Sequence, residues 1–237
     1  MKNTFLLYFR MLFLMIVNLY TSRVVLNALG IEDFGIYSVV GGVVAMLTLI
    51  SGTLSTAISR FITYELGRGN QDNLNKIFSS AVTTQLAIAI LIVIIAEFVG
   101  VWFLNMKMTI PIERINAANW VFQISLLTFV INLLSVPYNA SIIAHERMSA
   151  FAYIGILEAI GQLIVACLII YSPIDKLIFY SLLMCILALI VRCTYAYYCK
   201  KHFMECTYRL MWNKQLLKQM FSFAGWNFIG TASAVLR

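Results

Sequence analysis

Six long apolar stretches separated by short polar ones make up most of the chain: approximately Phe5 to Ala28, Ile36 to Tyr64, Ile77 to Leu104, Ala117 to Pro137, Ser149 to Tyr171 and Leu177 to Tyr198. Each is close to the roughly 20 residues a helix needs to cross a bilayer. A seventh begins near Phe221 and continues to Arg237. The second and third exceed a minimal span, which predicts tilt or extension beyond the hydrocarbon. None alternates with a period of two, so the pattern excludes a membrane β-barrel. The predicted fold is all-α: a polytopic membrane protein with a six-helix transmembrane bundle over residues 1–199. Residues 200–237 then form a connection and the start of a seventh helix, and no linker rich in Pro, Gly or Ser divides the bundle.

Polar residues inside these stretches fall into stripes. In the second, Thr53, Thr56, Arg60, Thr63 and Tyr64 share one helical face, opposite Leu54, Ile58, Phe61 and Ile62. Arg60 either looks into a bundle interior or water-filled cavity, or snorkels to the headgroups, and this segment alone leaves both readings open. In the fourth, Ser125, Thr128, Asn132, Ser135 and Asn139 follow at spacings of 3, 4, 3 and 4. Any one of them fits a hydrogen bond to a neighbouring helix. Five in line favour a hydrated cavity, and Pro137 near the end of the stripe predicts a kink or helix end. The first segment carries Arg10, Asn18, Thr21, Ser22 and Arg23, with Arg10 and Thr21 about 20° apart around the helix. Both arginines sit near segment ends, where snorkelling is the plain alternative. In the fifth, Glu158 lies about ten residues in, with Gln162 one turn on and Gly155 and Gly161 alongside. An acid at that depth is either a coupling site for a proton or sodium ion or the internal counter-ion of an arginine.

Composition agrees: 62% of residues are hydrophobic and 11% charged, against about 45 to 50% apolar in soluble domains. The net charge of +7 reads as basic loops on one side of a membrane rather than as a nucleic-acid surface. Outside the segments, Lys2, Arg68, Lys76, Arg147, Lys200, Lys201, Arg209, Lys214 and Lys218 fall on one side, and Lys107, Arg114 and Lys176 on the other. That bias predicts a cytoplasmic N-terminus. Lys2 and Arg10 precede an apolar run as in a signal peptide, but the run is too long and lacks a cleavage-like site, so it is read as the first span. The basic connection from Cys199 to Met220 carries Leu210, Met211, Trp212, Leu216 and Leu217 among its charges, the pattern of an interfacial amphipathic helix or of a polar loop. The five cysteines form no CxxC pair, and His145 and His202 lack metal-ligand spacing. No catalytic motif occurs, so neither catalysis, cofactor nor metal is expected.

The stretches NLYTSRVVLNALGIEDFGIYSVVGG, STAISRFITYELGRGN, VPYNASIIAHERMSAFAYIGILEA and FSFAGWNFIGTASAVLR resemble bacterial polysaccharide-biosynthesis flippases. These are the O-antigen and capsule oligosaccharide-lipid exporters of the multidrug/oligosaccharidyl-lipid/polysaccharide exporter superfamily, and their work belongs to lipopolysaccharide and capsule assembly. Each motif is loose; their order and spacing over essentially the whole chain carry the likeness. The resemblance implies a transporter of about 12 to 14 helices in two lobes around a cavity open alternately to each side. This chain would then be the N-terminal lobe and the start of the second, a fragment of a longer protein in the bacterial inner membrane. In the related lipid II flippases, arginines on the first two helices line a cationic cavity suited to a pyrophosphate-linked lipid. The matching positions here are Arg23 and Arg60, with Arg10 a weaker third.

The expected activity is export of an undecaprenyl-pyrophosphate-linked oligosaccharide. In it the arginines hold the pyrophosphate while Asn18, Thr53, Thr56, Ser125, Thr128, Asn132 and Ser135 line the cavity. Expected partners are this glycan lipid, the bilayer, a coupling proton or sodium ion and other polysaccharide-assembly membrane proteins, with no nucleic acid. One rival is a drug or cation/proton antiporter of the same superfamily with Glu158 as its ion site; a cationic cavity would repel cationic drugs. From another class, the rival is a non-transporting scaffold or a glycan-assembly membrane enzyme. The scaffold would not need polar stripes on three helices, and the enzyme would want acidic or histidine clusters that are missing.

Overall fold

The computed structural model describes residues 2–106, 108, 110–173 and 175–208. The chain folds into α1 (Lys2–Arg68), α2 (Gln71–Met106), α3 (Ile115–Leu133), α4 (Val136–Ala144), α5 (Met148–Leu168) and α6 (Lys176–His202). Short 3-10 turns cover Ile112–Arg114 and Ile169–Tyr171, and no strand occurs among the described residues. Leu210, Met211, Trp212, Leu216, Leu217 and the seventh apolar segment lie outside them. Among the described residues, five stretches are long and apolar enough to cross a membrane: Arg10–Gly42, Gln71–Leu104, Ile115–Ala144, Met148–Tyr171 and Lys176–His202. The protein is an all-α, multi-pass membrane protein.

The first two predicted segments join in α1, which is two helices meeting at Gly30 with φ 83° and ψ 172°. Only glycine enters that region freely, so the chain reverses there without a longer loop. Contacts establish the reversal. In the first limb, Arg10 packs on Phe151 near the start of α5, whereas the Ala28 carbonyl accepts from Lys176 Nζ at 3.3 Å at the start of α6. In the second limb, Ile36 and Val40 pack with Leu104, Ala118, Val121 and Phe122. Further on, Ile58 and Ile62 pack with Leu74, Ile77, Leu133 and Ala144 at the other end of the bundle. Burial of these aliphatic faces leaves long apolar faces outward, among them Leu91, Ile94, Ile95 and Phe98 on α2, as a helix facing lipid requires.

The fourth predicted segment is broken near Pro137. Helix α3 stops at Leu133 and α4 restarts at Val136, with Pro137 in its first turn, where a missing N–H is least costly. The break frees backbone carbonyls, and Arg192 of α6 donates to the Leu134 carbonyl while its guanidinium lies 5.1 Å from the centroid of the Tyr138 ring. A donor from a neighbouring helix thus replaces the hydrogen bond the break removed.

Polar side chains tie both ends of the bundle. At the Gly30 end, Arg114 pairs with Asp33 at 3.0 Å and with Asp175. Asp175 also caps α6 by accepting from Leu177 N at 3.0 Å. At the other end, residues 203–208 run back across the bundle from α6 and are hydrogen-bonded to α2 and to the end of α4.

Candidate functional site

The predicted stripes open into separate cavities. On the second limb of α1, Ser55, Thr56, Ser59, Arg60, Thr63 and Tyr64 line a cavity of ≈ 540 Å³ together with Ile143 of α4. The Thr56 and Thr63 hydroxyls donate to the Gly52 and Ser59 carbonyls at 3.0 and 2.8 Å. A hydroxyl satisfied by its own helix keeps lone pairs for water or a sugar hydroxyl without the cost of an orphan donor. Thr53 is buried beside this cavity's helix face rather than among its lining residues.

A second cavity, ≈ 230 Å³, lies where the second limb of α1, α3 and α6 meet. Its lining includes Ser125, Thr128 and Asn132 together with Tyr37 and Ser181. Ser135, the next member of the stripe, is buried, and its hydroxyl donates to the Ile131 carbonyl at 3.0 Å. The helix break between α3 and α4 explains this: beyond Leu133 the spacing of 3 and 4 no longer keeps one face. A third cavity, ≈ 620 Å³, follows the first limb of α1 along Arg10, Leu14, Asn18 and Ser22. Arg23 is exposed, and Arg10 and Arg60 line different cavities.

Arg10 is held by α5. Its guanidinium lies 4.3 Å from the centroid of the Phe151 ring. A Cβ built at Gly155 would lie 2.8 Å from Arg10 Nη2 and closer still to Nε. Glu158, half-buried, is the next member of that α5 face and interacts electrostatically with Arg10, as does buried Tyr195 of α6. Gln162 is half-buried one turn beyond Glu158.

The cytoplasm-facing end predicted from loop charge carries a second polar cluster. Helix α4 closes with Glu146 in the left-handed region at φ 56°, and Arg147 N donates back to the Ile142 carbonyl at 3.1 Å. This closure presents His145, which pairs with Glu205 and stacks on Phe203 with ring centroids 4.0 Å apart. Gln71 Nε2 donates to Glu205 at 3.4 Å, and Asn75 Nδ2 donates to the Glu205 and Thr207 carbonyls at 3.1 and 2.9 Å. Burial alone would raise the Glu205 pKa, but the hydrogen bond and charge of His145 hold it below the ordinary glutamate value. At the opposite end burial would lower the Arg114 pKa, yet Asp33 and Asp175 hold it above the usual arginine value.

Several polar residues of these sites escape the stripe argument. Ser79, Ser80, Thr83, Thr84 and Gln85 of α2 are all buried, and both polar atoms of Gln85 and Ser80 Oγ lack a protein partner. The run SSAVTTQ inside an apolar segment is the signal that marks them. Ser55, Ser59, Tyr37 and Arg192 lie outside the predicted stripes, and no spacing signal in the sequence singles them out. Among the described residues no group of three His, Cys, Asp or Glu could hold a metal.

This fold and its polar cavities define the class: an all-α, multi-pass membrane protein with polar cavities along its helices. A solved structure of a multidrug resistance MATE family transporter of the MOP superfamily, in an outward-facing conformation, matches it with a TM-score of 0.78 at 14% identity. The match covers 96% of this chain and 51% of that one, so the chain spans about half the length of that transporter. No curated protein matches it. The model of the polysaccharide biosynthesis protein family matches residues 1–236, and the chain belongs to that family.

Proposed function

We propose that this chain is the first lobe of a flippase. Its substrate is an oligosaccharide linked to a polyprenyl pyrophosphate, such as an O-antigen or capsule precursor on undecaprenyl pyrophosphate, moved across the bacterial inner membrane by alternating access. The observation that carries the reading is the cavity in which Arg60 stands among Ser55, Thr56, Ser59, Thr63 and Tyr64. A guanidinium binds phosphate oxygens bidentately, and hydroxyls at its sides suit the neighbouring sugar. Arg10 and Arg23 are further cations for the pyrophosphate, while Asn18, Ser125, Thr128 and Asn132 solvate the glycan and the prenyl chain stays in lipid. Loop charge supports a cytoplasmic N-terminus. Other polysaccharide-assembly membrane proteins would deliver and receive the lipid. The antiporter reading draws on the fold shared with a multidrug transporter; cavities lined by arginine rather than carboxylate weigh against cationic cargo.

The test is surface-polysaccharide complementation by the full-length protein carrying Arg60→Lys or Arg60→Ala at matched membrane abundance. Lysine keeps the charge but not the fork, so transport should fall; alanine should abolish it. Full export by the alanine variant would remove Arg60 from the site.

A further inference from the structure

The structure around Arg10 joins a cavity to an acid. It lines the first-limb cavity with Asn18 and Ser22, yet its guanidinium is cradled by Phe151 and Gly155 and interacts with Glu158. Phe151, Gly155 and Glu158 follow at spacings of 4 and 3 on α5, so they form one face, and the side chain of Arg10 lies along it. Gly155 is required there, because any Cβ would occupy the space of the guanidinium. Arg10 Nε is buried without a hydrogen-bond acceptor. The cradle therefore fixes the position of the cation beside the first-limb cavity. Glu158 stands ten residues into α5, about 15 Å along the helix and near the middle of a hydrocarbon core of about 30 Å.

We propose that Glu158 and the substrate pyrophosphate compete for Arg10, and that this competition links substrate binding to the uptake of one proton. The inference rests on the pyrophosphate reading above and specifies its coupling. With the cavity empty, Arg10 is the cation for ionised Glu158. When a pyrophosphate in the first-limb cavity takes up the charge of Arg10, Glu158 loses its counter-charge. An ionised carboxylate without a cation is far costlier in an apolar interior than the neutral acid, so it takes a proton from the aqueous phase. Release of the lipid returns Arg10 to Glu158 and the proton to water. The charged and titratable groups facing Glu158 are Arg10 from α1 and Tyr195 from α6. Phe151 and Gly155 are positioning residues for this exchange.

The experiment uses full-length protein in lipid nanodiscs and a C15 polyprenyl diphosphate carrying one N-acetylhexosamine, a diester whose two phosphates stay ionised throughout the pH series. Calorimetric titration in buffers of different ionisation enthalpy counts protons taken up per ligand across a pH series. Wild type should take up as much as one proton and weaken in Kd by up to about tenfold per pH unit as pH rises, the limit for one linked proton. Glu158→Gln should bind with no linked proton and a flat profile, and should bind tighter than wild type at the alkaline end. Gly155→Ala should weaken binding by crowding Arg10 off its cradle. Equal proton counts in wild type and Glu158→Gln, with binding intact, would overturn the exchange and leave the pyrophosphate reading standing; so would a Glu158→Gln effect confined to melting temperature. Failure of wild type to bind the probe at all would instead sink the pyrophosphate reading, and the exchange with it.

Discussion

Removing the imidazole in His145→Ala tests the clasp at the predicted cytoplasmic end. Glu205 is 3% exposed and accepts from His145 Nε2 and, at 3.4 Å, from Gln71 Nε2. Deleting His145 leaves a buried carboxylate with only Gln71 and a backbone N–H as donors and removes the ring stacked on Phe203. Leaving a buried charged acceptor without its donor costs about 1–3 kcal/mol. Residues 203–208 hold their place through this pair and the Asn75 contacts, so the cost should appear as local opening of that segment. Amide hydrogen exchange of 203–208 should therefore quicken about 5- to 150-fold, while exchange in α3 is unchanged. The pH dependence has a definite sign. Because the pKa of Glu205 is depressed in the folded protein, its contribution is fully present above the ordinary glutamate value and is lost as pH falls through the depressed one. Wild-type protection of the segment should hold from neutral pH down to the ordinary glutamate range and then decline, and Glu205→Gln should show no such decline. Unchanged exchange in His145→Ala would refute the clasp as the element holding the segment.

Two further substitutions probe packing that supports the cavities. Gly100→Ala places a Cβ 2.8 Å from Cε2 of Phe122, a ring that is 2% exposed, and should destabilise by about 1–3 kcal/mol; Phe122→Leu in the same protein should recover part of the loss in detergent melting, and equal melting of Gly100→Ala and wild type would count against this packing. Arg192→Met removes the donor to the Leu134 carbonyl and should cost about 1–3 kcal/mol in the same measurement, with Arg192→Lys recovering part of it; no loss in either variant would mean that another group satisfies that carbonyl.

The helical membrane architecture is legible because its cause is local. Stretches of about 20 apolar residues can satisfy their backbone in lipid only as helices, and Pro137 marks the break between α3 and α4 without reference to any partner. The reversal at Gly30 is less legible: a glycine among LNALGIEDFG predicts a turn, but the antiparallel return depends on which helices its limbs pack against. A shared cavity lining was legible where a stripe kept helical spacing, as Thr56, Arg60 and Thr63 do. Ser135 illustrates the limit, since it falls in the break between α3 and α4 and is buried there rather than lining the cavity with Asn132. The Arg10 cradle was hidden for another reason. Glu158 and Gly155 can be picked out by depth and size, but nothing in a single chain says which of several arginines a buried acid will meet.

The arginines within the helices can be ordered by what surrounds them, because a cation at membrane depth costs about 2.5–3.5 kcal/mol even on insertion scales and must be compensated. Arg192 is spoken for by a carbonyl and a tyrosine ring within the bundle, a structural arrangement. Arg10 has an aromatic ring, a glycine gap and an acid, with one donor left over. Arg60 stands among the hydroxyls of Ser55, Thr56, Ser59, Thr63 and Tyr64 in a cavity, a setting suited to an anion that comes and goes. Arg23 is exposed near the Gly30 end, where the local structure offers it least. Of the three arginines assigned to pyrophosphate, Arg60 should therefore be the most sensitive to substitution by lysine. Arg23 should be the least, since a residue that only carries charge to the interface is replaced by lysine with little loss. Parallel lysine scanning of the three at matched abundance measures that order directly. Greater loss at Arg23 than at Arg60 would show that the cavity around Arg60 is not the phosphate site.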